Sequence, residues 1–294
     1  MLLEKEEQHA YALLPQGESL YYQVIGQGAP LILVHGNLCA GAHFAPFLPY
    51  LPKGIACYIP DLRGAGKSSY HTPLHSIDDL SEDLYALLRH LGLGPVILVG
   101  WSAGGPVCMS LALKHPDLVR AICLVESVGV AGCPLFTPRR GSYRSAKEMA
   151  QEPTQVAPAL SLIRSQDSEG MAALWERAIF VHQKPSPAQA RQLAHVSLQQ
   201  RSVADLYWAL ARFNLSAFSN GYTPGLLQPP SLSMPVLVTW AEDDGIISYE
   251  EARQTAQQLS HRDPIILPHC GHAPFWDCPD RLAVHLQSLI GLVS

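Results

Sequence analysis

The chain has 294 residues, a formal net charge of −5 at pH 7, 48% hydrophobic residues and 15% charged residues. An apolar chain with fewer charges than the usual ~25% suits a packed core and excludes disorder, and the negative balance, with no basic stretch longer than Arg139-Arg140, argues against a nucleic-acid partner. No run approaches about 18 uninterrupted apolar residues, so no membrane span is expected, and the opening MLLEKEEQHA lacks the basic-then-apolar order of a secretory signal.

The first β-rich apolar runs are Leu20–Ile25 (LYYQVI), Leu31–His35 (LILVH) and Ile55–Ile59 (IACYI). A helix is predicted next. Ser76 can cap IDDLSEDLYALLRHLG, where Leu80, Leu84, Leu87, Leu88 and Leu91 recur at helical spacing and Gly92 ends the element. The run Val96–Gly100 follows, then the helix-like GPVCMSLALKH, which stops at Pro116, and the run Ala121–Val125 (AICLV). From about Gly132 to Ser233 no strand is predicted. That interval reads as helical pieces: APALSLIRS, EGMAALWERAIFVHQ, PAQARQLAHVSLQQ and SVADLYWALARF. The proline- and glycine-rich NGYTPGLLQPPSLSMP then leads into Val236–Trp240 (VLVTW). A helix near 248–260, the run Pro264–Leu267 and a helix at 280–293 complete the chain. Near-continuous apolar strands alternating with helices predict a doubly wound α/β sheet buried on both faces.

Chemistry concentrates around Gly100, Trp101, Ser102, Ala103 and Gly104, a G-x-S-x-G run between a predicted strand and a predicted helix. A sharp strand-to-helix turn exposes the serine hydroxyl and needs small neighbours. Serine is a weak nucleophile without a base. The base is expected after the last strand, where His269 and His272 both qualify by position; Gly271 permits a tight loop and favours His272. A carboxylate must hold the histidine tautomer. The loop AEDDGII offers Glu242, Asp243 and Asp244, and Asp244, followed by Gly245 and an apolar pair, is preferred. Glu126, at the end of AICLV, is the alternative acid. The order Ser102, Asp244, His272 is the one this architecture uses.

With HGN at 35–37, DLRGAGKSS at 61–69, GWSAGG at 100–105, AEDD at 241–244 and GHAPFW at 271–276, the chain resembles the α/β-hydrolase-fold serine hydrolases. The resemblance implies an eight-stranded, mostly parallel sheet with a helical lid inserted after the sixth strand. The core would then span 1–131 and 234–294, and the lid 132–233. It also implies an oxyanion hole from the backbone N–H groups of Asn37 and Ala103. Ala241 stands where the family often has glycine, a mild departure. Ser102 rather than aspartate argues against dehalogenase and epoxide-hydrolase chemistry.

Other motifs read more plainly. AGKSS at 65–69 lacks the first glycine of a phosphate-binding loop, since Asp61 stands there; Asp61 and Arg63 are expected to brace the site from below. His35 reads as structural, under the oxyanion turn. Arg139-Arg140 reads as solvated surface. Trp101, Phe44 and Trp208 are candidates for an apolar pocket. The 7 cysteines form no CxxC pair, so they read mainly as buried apolar residues in a reduced, cytoplasmic setting, with Cys39 and Cys270 placed close to the site. No metal and no cofactor are expected. The function expected is a serine hydrolase of small to medium apolar carboxylic esters or lactones. A C–C bond hydrolase, an acyl-homoserine lactonase or, from another class, a ligand-binding receptor on the same fold are the alternatives, and a homodimer is allowed for.

Overall fold

The structure is a computed structural model that describes residues 7–293; the first six residues of MLLEKEEQHA, and with them most of the N-terminal reading, lie outside it. Eight strands form one sheet: β1 Glu7–Leu13, β2 Ser19–Ile25, β3 Ala29–Val34, β4 Ile55–Pro60, β5 Val96–Trp101, β6 Val119–Val125, β7 Val236–Ala241 and β8 Ile265–Leu267. Their order is β1-β2-β4-β3-β5-β6-β7-β8. β1 and β2 pair antiparallel, as do β2 and β4, and the remaining pairs are parallel. Every predicted run became a strand. β1 went unread because it is an edge strand: most of its residues face solvent and Ala12 is its one buried side chain, so its pattern carries little apolar signal.

The central strands show why their sequences are apolar throughout. Side chains alternate across the sheet with period two. Leu31, Leu33, Ile97, Val99, Ala121 and Cys123 enter one core; Ile32, Val34, Leu98, Ile122 and Leu124 enter the core on the opposite face. The second core is closed by α1 (Ile77–His90) through Leu80, Leu84, Leu87 and Leu88, and by α2 (Gly104–Lys114) through Val107, Cys108, Met109 and Leu111. Ser76 is the N-cap residue of α1, and the capping bond runs from its backbone N–H to Asp79 Oδ2 at 3.0 Å rather than from its own hydroxyl. Gly92, at φ +64°, ends the helix, and the Leu93 N–H reaches back to the Leu88 carbonyl at 2.9 Å.

Residues 126–235 leave the sheet after β6 and return to it at β7, which pairs directly with β6. Five helices occupy this interval: α3 Ala146–Met149, α4 Val156–Ser165, α5 Ser168–Ala178, α6 Pro187–Ser197 and α7 Val203–Arg212. α5 stops before the end of the predicted piece because Ile179 and Phe180 turn inward and are buried. The chain closes with α8 Tyr249–Ser260, α9 Pro274–Asp277 and α10 Pro279–Gly291. Among the described residues no helix is long and apolar enough to cross a membrane.

Leu98 is fully buried in the middle of β5. Leu98→Ala is expected to lower stability by about 3 kcal/mol, read as a shifted urea midpoint with an unchanged slope.

Candidate active site

Ser102 stands between β5 and α2 with φ +53°, in the left-handed region that non-glycine residues avoid. Its own backbone holds it there. The Ser102 N–H donates to the Val125 carbonyl, and its carbonyl accepts from the N–H groups of Gly105 and Val128, each at 3.1 Å. Two glycines make the bend fit. A Cβ on Gly104 would lie 2.2 Å from the Val34 carbonyl oxygen, and one on Gly100 would lie 2.8 Å from the Gly104 oxygen. The helix α2 therefore starts in contact with β3 and β5, and its N-terminus lies directly after Ser102.

His272 is buried in the loop after β8, and its Nδ1 lies 2.8 Å from Asp244 Oδ2. Asp244 sits in the loop after β7 and is itself oriented, because its Oδ1 accepts from the N–H groups of Ile246 and Ile247 at 2.7 and 3.0 Å. The Trp101 indole Nε1 donates to the His272 carbonyl at 2.8 Å. Nδ1 being taken, the histidine keeps Nε2 for the cavity that His272 and Ser102 both line. His269, the other candidate base, is exposed and does not line that cavity.

Glu126 is not the partner of His272. It is fully buried, at φ +45°, and its carboxyl accepts from Thr239 Oγ1 at 2.9 Å and from the Ala241 N–H at 2.6 Å. Burial and then the nearby Asp244 charge push its pKa up to about 8. At neutral pH Glu126 therefore favours its neutral, protonated form.

The cavity measures about 370 Å³. Trp101 lines it. Phe44 and Trp208 do not, which corrects the sequence reading. Phe44 is fully buried, edge-on to Trp101 and Phe275, while Trp208 is half-buried against Tyr222 and Arg212. The lining that sequence missed comes from the inserted helices. Leu174, Trp175 and Ile179 form an apolar wall, and Gln155 and Tyr207 a polar end, where the Tyr207 hydroxyl donates to Gln155 Oε1 at 3.2 Å. Tyr207 directly precedes Trp208 in α7, so a shift of one position separated the right aromatic from the chosen one.

Asn37 also lines the cavity, and Gln200 from the insertion grips it. Gln200 Nε2 donates to Asn37 Oδ1 at 2.7 Å, and Gln200 Oε1 accepts from the Leu38 N–H at 2.6 Å. His35 lies beneath. Its Nδ1 bonds the Gly36 carbonyl at 2.8 Å and its Nε2 accepts from the Leu62 N–H at 2.9 Å, with burial lowering its pKa. Asp61 accepts from the Gly41 N–H at 2.8 Å and the Lys67 N–H at 2.9 Å, and Arg63 pairs with the buried Asp83. Among the described residues no group of three or more His, Cys, Asp or Glu could hold a metal ion. All seven cysteines are free thiols, and Cys39 lines the cavity.

The family whose sequence model matches residues 29–279 is described as the alpha/beta hydrolase fold. A pimeloyl-[acyl-carrier protein] methyl ester esterase from Vibrio atlanticus is 26% identical over 273 residues, 92% of this chain and 98% of the relative. Two solved structures share the fold: an esterase from Exiguobacterium antarcticum (TM-score 0.71, 18% identity, 97% of this chain and 100% of that one) and a thermophilic esterase from Thermogutta terrifontis (TM-score 0.72, 22% identity, 97% and 99%).

Two outcomes test this geometry. Gly104→Ala is expected to prevent the Ser102 turn, read as lost labelling by a fluorophosphonate with a lowered melting temperature. Glu126 holds its proton more tightly folded than unfolded, so its contribution is full below about pH 4.5 and fades as pH rises through about 8. In Glu126→Gln the amide can donate to Thr239 and accept from Ala241, so this variant should lose that decline and match or exceed the parent's melting temperature above pH 8.

Proposed function

Because the chain belongs to the alpha/beta hydrolase fold family, we propose that it is a serine hydrolase of small to medium apolar carboxylic esters. The observation that carries the reading is the 2.8 Å Asp244–His272 contact beside a cavity that also holds Ser102 on its strained turn. The relatives named as methyl ester esterases support ester cleavage over other acyl chemistry.

The steps follow from these groups. His272 Nε2 takes the Ser102 proton as Oγ attacks the ester carbonyl, and Asp244 stabilises the imidazolium and fixes its tautomer. The backbone N–H groups of Asn37 and Ala103 donate to no acceptor among the described residues and receive the oxyanion. Each such donor contributes roughly 10²–10³ in rate. The alcohol leaves with the proton from His272, and water activated by the same nitrogen hydrolyses the acyl-enzyme. The apolar wall of Leu174, Trp175 and Ile179 accepts the hydrocarbon part of the substrate. In this reading residues 132–233 act as the lid, and Trp175, tied to Ser197 Oγ at 2.9 Å, keeps two lid helices together over the cavity.

Ser102→Ala and Asp244→Asn are each expected to lower kcat on p-nitrophenyl butyrate by about 10⁴-fold or more at unchanged melting temperature. Full turnover by Ser102→Ala would refute the mechanism. Assays against simple esters, acyl-homoserine lactones and dienone acids separate ester hydrolysis, the expected preference, from lactonase and C–C bond hydrolase activity.

A further inference from the structure

The loop that carries His272 holds a pair of thiols that the hydrolytic mechanism does not use. Cys270 and Cys278 are both buried, and their sulfur atoms lie 2.9 Å apart. Neither lines the cavity. The loop is drawn together around them by its own hydrogen bonds. The Gly271 N–H donates to Asp277 Oδ2 at 2.8 Å, the Asp243 N–H donates to the Cys270 carbonyl at 2.9 Å, and Arg281 Nη2 donates to the His269 carbonyl at 3.4 Å.

The two thiols are chemically unequal. Cys278 is the N-cap residue of the 13-residue helix α10, its carbonyl accepts from the Leu282 N–H at 3.1 Å, and Arg281 stands in the first turn. A helix N-terminus and a guanidinium both favour a thiolate. Hydrogen bonding from Cys270, helped by Arg281, draws the Cys278 pKa below the ordinary thiol range against its burial and the charges of Asp277 and Asp280. The same contact, with burial, pushes Cys270 up. The helix start and Arg281 favour Cys278 as the attacking sulfur, with Cys270 already in contact with it.

We propose that Cys270 and Cys278 are an oxidation site, a dithiol that a hydroperoxide converts into a disulfide strapping the His272 loop to the start of α10. The Cys278 thiolate attacks a peroxide oxygen; the O–O bond breaks, hydroxide leaves, and Cys278 becomes a sulfenic acid. Cys270 then attacks the Cys278 sulfur and loses its proton, and the sulfenic oxygen departs as water. In sum, two thiols and one hydrogen peroxide give one disulfide and two waters, the sulfurs losing the two electrons that the peroxide gains. The sulfurs need to close by only about 1 Å to reach the ~2.0 Å bond.

The test needs only the intact protein. Residues 263–281 are a single tryptic peptide holding both cysteines. After hydrogen peroxide, alkylation and digestion, that peptide should be unalkylated and lighter by two hydrogens. Prior reduction with dithiothreitol should return it doubly alkylated. The oxidised protein should melt roughly 5 °C above the reduced one, as expected for closing a short loop in a chain of this size, and Cys278→Ser should abolish that difference. Two alkylated cysteines after peroxide, sulfinic acid in place of the cross-link, or equal melting temperatures for the oxidised and reduced protein would each overturn the proposal.

Discussion

The close approach of α2 to β3 governs this molecule. With Gly104 against the Val34 carbonyl, the chain leaving β5 must turn within a single residue, and that residue is Ser102. Left-handed backbone at a serine costs on the order of 1 kcal/mol or more. The bonds from Ser102 to Val125, Gly105 and Val128 offset that cost and tie the turn to β6 as well as to α2. Strain, hydroxyl exposure and the position of the helix N-terminus all follow from one interatomic contact.

A second constraint is electrostatic. Two carboxyl groups are buried near the end of the sheet, and two buried negative charges that close would repel strongly. The surroundings divide the work. Burial and the nearby Asp244 keep the proton on Glu126 against the two hydrogen bonds it accepts, while Asp244 receives two backbone N–H groups and faces His272. The two candidate acids are parts of one arrangement: Glu126 is buried as the neutral acid, and Asp244 orients His272.

The sheet strands and the residues at their ends were legible because each obeys a local rule. Ser102, Asp244 and His272 follow apolar runs, and glycines flank them where bends are needed. What was not legible depends on direction in space. Phe44 lies on a 3-10 helix, Gly41–Tyr50, that follows the turn beside the site, yet its ring packs into the core. Trp208 and Tyr207 are neighbours on one helix and face different ways. β1 escaped because an edge strand needs little apolar surface. Gln200 had no signature at all. Its role exists only because an insertion folds back to a loop more than one hundred and sixty residues earlier in the chain.

That last contact has a mechanical consequence. Gln200 holds Asn37 and the Leu38 N–H together, so the connection between α6 and α7 and the turn after β3 are tied at one residue. A movement separating the two segments would have to break both bonds at once. In the proposed function, where residues 132–233 act as a lid, access to the cavity and the set of the turn at 36–38 are thereby coupled through Gln200.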